Sequence, residues 1–181
     1  MVFLQQVPLQ LAYFLGLYIA KGRWQGNMVI SNQSTKLQEK VKRVLIEEFS
    51  YPEQLIKMTK DAVIVKKSTA LITFLHQAFQ IPLETTQQSS LKCVPNILYT
   101  ATPEVIGSFL SGYIDGDGYV TRKHGIACVS KSKELVKGIS LLLLGLGVRT
   151  RIKEVKKRAT NLEQPLTTYY SIQIPDSKMG R

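Results

Sequence analysis

The hydrophobic and polar positions of this chain pass through the same series of patterns twice. From Leu11 to Ala20 nearly every residue is apolar, and Lys21 and Gly22 close the stretch. A polar turn follows, and then Asn27 to Ser31, in which Met28, Val29 and Ile30 have strand-like sequence. Ser34 caps a run in which Leu37, Val41, Val44, Leu45 and Phe49 recur at the spacing of an amphipathic helix. Leu55 to Met58 and Ala62 to Val65 read as two more strands. Thr69 to Phe79 reads as a third helix, capped by Ser68 and ended near Pro82.

Self-similarity decides how such a chain folds, because each repeat is one structural unit. Leu110 to Gly118 can be laid on Phe14 to Gly22, with glycine at the third and ninth positions of both. After the second copy, His124 to Val129 gives a strand and Ser132 caps a helix. Leu135, Ile139, Leu142, Leu143 and Leu146 carry that helix to Gly147. Arg149 to Val155 and Tyr169 to Ile174 follow as strands. The repeated unit is αββαββ, which predicts an α+β fold. The first repeat takes residues 1–81, a linker containing Gln87-Gln88-Ser89-Ser90 takes 82–103, and the second repeat takes 104–181. The second repeat is expected to lack the third helix, since Arg181 falls where that helix should begin.

At 181 residues and 44% hydrophobic, the chain can bury one core or two small ones, which excludes a disordered tail. Its net charge of +11 is unevenly placed: residues 1–118 hold 11 Lys/Arg against 9 Asp/Glu, and residues 119–181 hold 13 against 4. Clustered cations release counterions on meeting phosphates, so nucleic acid is the leading partner. Cys93 and Cys128 are isolated and have no ligand spacing to His76 or His124. This supports neither a zinc site nor a disulfide framework and leads us to expect an intracellular setting. The apolar stretch at Leu11 is ten residues long, whereas a membrane span needs about 20.

Asp115 and Asp117 fall at the C-terminus of the second motif helix, where the macrodipole is already negative. A divalent cation held by oxygen ligands and water would relieve that repulsion, and such ions assist phosphodiester hydrolysis. An Asp-Gly turn entering a hairpin also accounts for these residues. A calcium loop does not, because the twelfth position from Asp115 is Ile126 and not Glu. Small residues Gly16, Ala20, Gly112 and Gly116 lie four apart on each motif helix. That spacing allows two helices to meet backbone to backbone at Gly16 and Gly112, with their C-termini side by side.

Arg149, Arg151 and Lys153 alternate, so on one strand all three project from one face, and Ile152 from the other. A basic DNA-binding face and a solvated edge strand both fit that pattern. Lys131, Lys133, Arg122, Lys123 and residues 156–158 add phosphate contacts or solvated charge. Asn27, Gln33 and Tyr119, just outside the motifs, are further groove-contact candidates. His76 and His124 belong to no nuclease constellation, and Trp24 reads as a packing residue.

On these residues the chain resembles the LAGLIDADG homing-endonuclease family, most closely its intein-encoded members. Leu110 to Gly118 matches the nine-residue motif closely and Phe14 to Gly22 matches it loosely. The resemblance covers nearly the whole chain. It implies a monomer built as a pseudo-dimer of two αββαββ(α) repeats, whose curved antiparallel sheets lie in the major groove of double-stranded DNA. It also implies that each motif helix ends in an acid binding Mg²⁺. Asp117 holds that position in the second motif, and Gly116 and Ala20 join it in the implied metal set. Lys21 holds the degenerate position in the first motif. Lys92-Cys93-Val94-Pro95 resembles a Lys-x-hydrophobic-Pro segment whose lysine supports catalysis near the scissile phosphate. The implied function is Mg²⁺-dependent DNA hydrolysis at a long site, and Lys21, a departure from the family pattern, leads us to expect nicking of one strand at most. Lys21, the missing helix and the lack of splicing residues in view favour an inactive DNA-binding relic or an intein fragment instead. An RNA-splicing maturase uses the same fold.

Overall fold

A computed structural model describes residues 7–82, 88–121, 125–157 and 166–175. The chain forms two compact units, Met1–Thr85 with Pro95–Gly116, and Thr86–Val94 with Asp117–Arg181.

The first unit opens with helix α1, Leu9–Lys21. Every residue from Ala12 to Ile19 is buried, which is what a helix apolar on all sides requires. Four short strands follow with one helix among them: β1 (Gly22–Trp24), β2 (Met28–Ser31), α2 (Thr35–Phe49), β3 (Ile56–Met58) and β4 (Ala62–Val65). The strands form an antiparallel sheet in the order β1-β2-β4-β3. Strand alternation sends Met28, Ile30, Val63 and Val65 into the core and leaves Val29 and Ile64 half-exposed on the other face. Helix α3 (Thr69–Phe79) and helix α4 (Pro103–Asp117, through Gly116) complete the unit.

The second unit contains β5 (Tyr119–Val120), β6 (Ile126–Ser130), α5 (Lys133–Gly145), β7 (Arg151–Lys157) and β8 (Thr167–Ile174). Its sheet is again antiparallel, in the order β5-β6-β8-β7. With the motif helices in front, both repeats run αββαββ with the same strand order, so the α+β repeat fold is the one the sequence predicts. Ala12, Phe14, Leu45 and Leu75 lie in the first core, and Cys128, Leu135, Ile139 and Ile172 in the second.

Several local expectations change. Ser68 makes no side-chain cap on α3; its buried hydroxyl accepts the backbone N–H of Met28 at 2.6 Å and ties the start of α3 to β2. Strand β7 starts at Arg151, so Arg149 precedes it and does not share its alternation. Asn27 lies in the turn before β2, where its carbonyl accepts the Gln25 N–H. Leu55 ends a 3-10 turn and is not part of β3. Helix α5 stops at Gly145, and Gly147 has a φ of +79° that glycine adopts without strain. The short first strands β1 and β5 had no clear sequence pattern.

Candidate metal centre and nucleic-acid interface

Within the first unit, α1 and α4 approach until only glycine fits between them. A Cβ on Gly16 would stand 2.0 Å from the carbonyl oxygen of Phe109, and one on Gly112 would stand 2.0 Å from that of Tyr13. Further along, a Cβ on Gly116 would meet the Ala20 Cβ at 2.4 Å and the Lys21 Cγ at 3.4 Å. The two helices therefore run together to their C-terminal ends. Lys21 is the last residue of α1 and Asp117 the last of α4, the equivalent place in each repeat.

The two carboxylates of the second motif have different surroundings. The Tyr13 hydroxyl donates to Asp115 Oδ2 at 2.6 Å. The Lys40 ammonium lies 3.2 Å from the centre of the Tyr13 ring, a cation-π contact. Burial, the hydrogen bond to Asp115 and the charge of Asp115 all push the Tyr13 phenol above its ordinary range, so it remains a proton donor. Burial lowers the Lys40 ammonium, and Asp115 counters that effect. Asp115 is thus engaged by a donor and a cation of its own unit. Asp117, at the helix end, is the other carboxylate of the motif. It contributes, after burial, to pushing the Cys128 thiol up to about 12, which keeps that thiol protonated and unreactive near neutrality. Sequence pattern alone did not reveal the Tyr13 and Lys40 contacts, because Tyr13 and Asp115 are 102 residues apart.

Lys92 is half-buried in the second unit, and its backbone is fixed there. Ser132 is fully buried; it accepts the Leu135 N–H at 3.0 Å as the cap of α5 and donates its own hydroxyl proton to the Lys92 carbonyl at 2.5 Å. Val94, two residues on from Lys92, is also buried. Ser132→Ala removes both bonds, and we expect a loss of about 2 kcal/mol, a Tm lower by about 4–8 °C. Ser34→Ala is the control. Ser34 is exposed, and its capping bond to Leu37 is 3.4 Å long, so about 1 kcal/mol or less should be lost. Thermal melts in which the two variants fall equally would show that Ser132 is only a cap.

Among the DNA-contact candidates, Arg151 and Lys153 are exposed on β7, and cross-strand pairing opposes them to Gln173 and Ser171. Exposed Lys131 and Lys133 reach the rings of Tyr169 and Tyr170, each at 5.7 Å. Exposed Arg149 lies before the strand. Gln33 is exposed and donates to Asp61 Oδ1 at 2.7 Å. Arg122, Lys123 and His124 lie outside the described residues, as do residues 158–165. Trp24 is half-buried on the core-facing side of its sheet, opposite Met28. Among the described residues no three His, Cys, Asp or Glu side chains gather as a metal cluster, and no helix is long and apolar enough to cross a membrane.

This geometry agrees with the similarity of the chain to known proteins. Residues 104–174 match the model of the LAGLIDADG-like domain. The chain is 34% identical over 119 residues to a probable translation initiation factor IF-2 of Methanocaldococcus jannaschii, covering 65% of the chain and 10% of that protein. It is 30% identical over 147 residues to an A-type ATP synthase component of Pyrococcus abyssi, covering 80% of the chain and 14% of that protein. The chain therefore spans only a small fraction of these relatives' lengths. Among solved structures, the homing endonuclease I-DmoI in complex with DNA and Mn superposes with a TM-score of 0.56 at 18% identity, covering 92% of this chain and 88% of that one. Full-length DUF199/WhiA from Thermatoga maritima superposes with a TM-score of 0.59 at 14% identity, covering 95% and 54%. Residues 104–174 are thus a LAGLIDADG-like domain, and the chain shares the fold of these two structures.

Proposed function

We propose that this chain is the DNA-binding and DNA-cleaving module of an intein-type homing endonuclease, reduced to cutting one strand at most. The observation carrying this reading is that two motif helices, packed through Gly16 and Gly112, end in unlike charges, Lys21 and Asp117. Similarity to short parts of both an initiation factor and an ATP synthase component supports an inserted element, since those proteins share no activity by name.

The donor set fits one Mg²⁺ and not two. Mg²⁺ is commonly held by one or two carboxylates, with substrate phosphates and water completing its shell. Asp117 would hold it, joined by the backbone carbonyls of Gly116 and Ala20, while Asp115 is engaged with Tyr13. Once bound, such an ion supplies Lewis-acid polarisation of a phosphodiester and an acidified water. Lys92, held by the α5 cap, contributes positive charge to the phosphate whose negative charge grows in the transition state. Lys21 opposes a second cation. Arg151, Lys153, Lys131, Lys133 and Arg149 bind the backbone and grooves of the duplex. An inactive DNA-binding module is the competing reading, and Lys21 is the residue that favours it.

Binding and cutting are tested in turn. Affinity for a random-sequence duplex pool should fall by about three orders of magnitude or more between 50 and 200 mM salt, if six or more phosphates are contacted. Lys153→Ala and Lys133→Ala should each reduce the slope of log affinity against log salt by about one. Duplexes enriched from that pool by binding, cloned into supercoiled plasmid and incubated with Mg²⁺, should yield open circles and no linear product. Efficient linearisation would overturn the one-strand limit. Binding with no nicking on any enriched duplex would leave the inactive module as the better reading.

A further inference from the structure

Each sheet has one row of residues that crosses all four strands beside its motif glycine. In the first unit, pairing aligns Arg23, Val29, Ile64 and Lys57. In the second, it aligns Tyr119, Ala127, Gln173 and Arg151. The rows are equivalent, because Arg23 follows Gly22 and Tyr119 follows Gly118. Both lie on the face opposite the strands' main apolar side chains, Met28, Ile30, Val63 and Val65 in one sheet and Cys128 and Ile172 in the other. Neither row contains an acid, and Glu154, the acid of β7, has the opposite parity.

Their chemistry differs. The first row has exposed cations at its ends, and its centre is two half-exposed β-branched side chains, Val29 and Ile64, that can neither donate nor accept a hydrogen bond. In the second row Ala127 is fully buried, which leaves a phenol at Tyr119, an amide at Gln173 and a guanidinium at Arg151. Strands lie about 4.8 Å apart, so a four-strand row is about 14 Å long and is matched to about four base-pair steps of 3.4 Å.

We propose, resting on the DNA-binding reading above, that the two sheets select opposite kinds of base. The first repeat selects thymines, whose major-groove methyl groups Val29 and Ile64 can bury, while Arg23 and Lys57 hold flanking phosphates. The second repeat selects purines, Gln173 pairing with the N6/N7 edge of adenine and Arg151 with the O6/N7 edge of guanine. Each sheet thereby reads its own segment of duplex, and the two segments differ in the bases preferred.

The probe is the sequence enriched by binding from a random duplex pool. Replacing thymines by uracils in one arm removes only methyl groups, and should weaken the wild-type chain by about fourfold per contacted methyl. The same replacement in the other arm should leave affinity unchanged. Val29→Ala with Ile64→Ala should abolish the uracil effect, and both positions are half-exposed, so melting curves can confirm the fold. Gln173→Ala and Arg151→Ala should each lower affinity by about tenfold to a hundredfold and relax base preference in the other arm alone. Methyl dependence in both arms or in neither, or an Arg151→Ala loss that is uniform over all sequences, overturns the proposal. Salt-sensitive binding with no enriched sequence overturns it too, while leaving DNA binding intact. Absence of any binding to duplex overturns both.

Discussion

Gly112→Ala is expected to lose at least about 3 kcal/mol of stability, lowering Tm by about 6–12 °C. The added Cβ would stand 2.0 Å from the Tyr13 carbonyl oxygen, 2.9 Å from its carbon and 3.0 Å from the Leu17 nitrogen. All three are backbone atoms of a buried helix, so no side chain can rotate away to make room. The pair must separate, and with it the packing of Phe14, Leu15 and Phe109, which are fully buried. Gly107→Ala is the matched control on the same helix. Beyond its chain neighbours and the adjacent backbone of its own helix, nothing lies within 4 Å of its added Cβ, and alanine is the better helix former by about 1 kcal/mol, so Tm should hold or rise. Thermal or urea melts of the two variants make the comparison. A Gly112→Ala chain that is as stable as Gly107→Ala would mean that the motif helices do not meet at these glycines.

The same glycines show why so much of the fold was legible. A nine-residue motif present twice, with glycine in equivalent places, encodes both a helix contact and an internal repeat. Alternation and helical periodicity then located β4 and α3 to the residue, and Ser34 and Ser132 marked the starts of α2 and α5. These features are local, since propensity, patterning and capping act within a few residues of the chain. Ends were less legible. Arg149 was drawn into β7 by its alternation with Arg151, although Gly147 and Val148 still belong to the close of α5, where Val148 donates to the Leu143 carbonyl.

Legibility failed wherever one polar atom served a distant partner. Ser68 has the right residue type and position for a cap, yet its hydroxyl is taken by Met28, 40 residues earlier. Gln38 is buried on α2 together with Val41, Val44 and Leu45, and its amide donates to the carbonyls of Asn32 and Thr59. A buried polar group is tolerated when it is hydrogen-bonded in this way, and sequence spacing does not show the partner. The candidate site has the same character. Asp115 and Asp117 look equivalent in the motif, and the spacing of residues does not show that Asp115 accepts from Tyr13, whose ring carries Lys40.

That engagement of Asp115 with Tyr13 makes Lys21→Asp the most informative change to the chemistry. Placing a carboxylate at the end of α1 should allow two acids to share divalent ions and convert nicking of the enriched plasmid into linearisation. The electrostatic change is large. Exchanging an ammonium for a carboxylate about 4 Å from a divalent ion favours binding by about 4 kcal/mol even at the dielectric constant of water, with salt screening reducing this. A gain of one to three orders of magnitude in Mg²⁺ affinity is therefore expected. Stability gives a second readout that does not depend on cutting. In metal-free buffer, Lys21→Asp removes a cation from the negative end of α1 and adds an anion, which should cost about 0.5–2 kcal/mol. Added Mg²⁺ should recover that loss in the variant by mass action and change the wild-type melt much less. Lys21→Gln, which removes the charge without supplying a ligand, should fall between them in both assays. If Lys21→Asp melts identically with and without Mg²⁺ and yields no linear product, then Lys21 and Asp117 do not serve one metal centre, and the chain is better understood as a DNA-binding module alone.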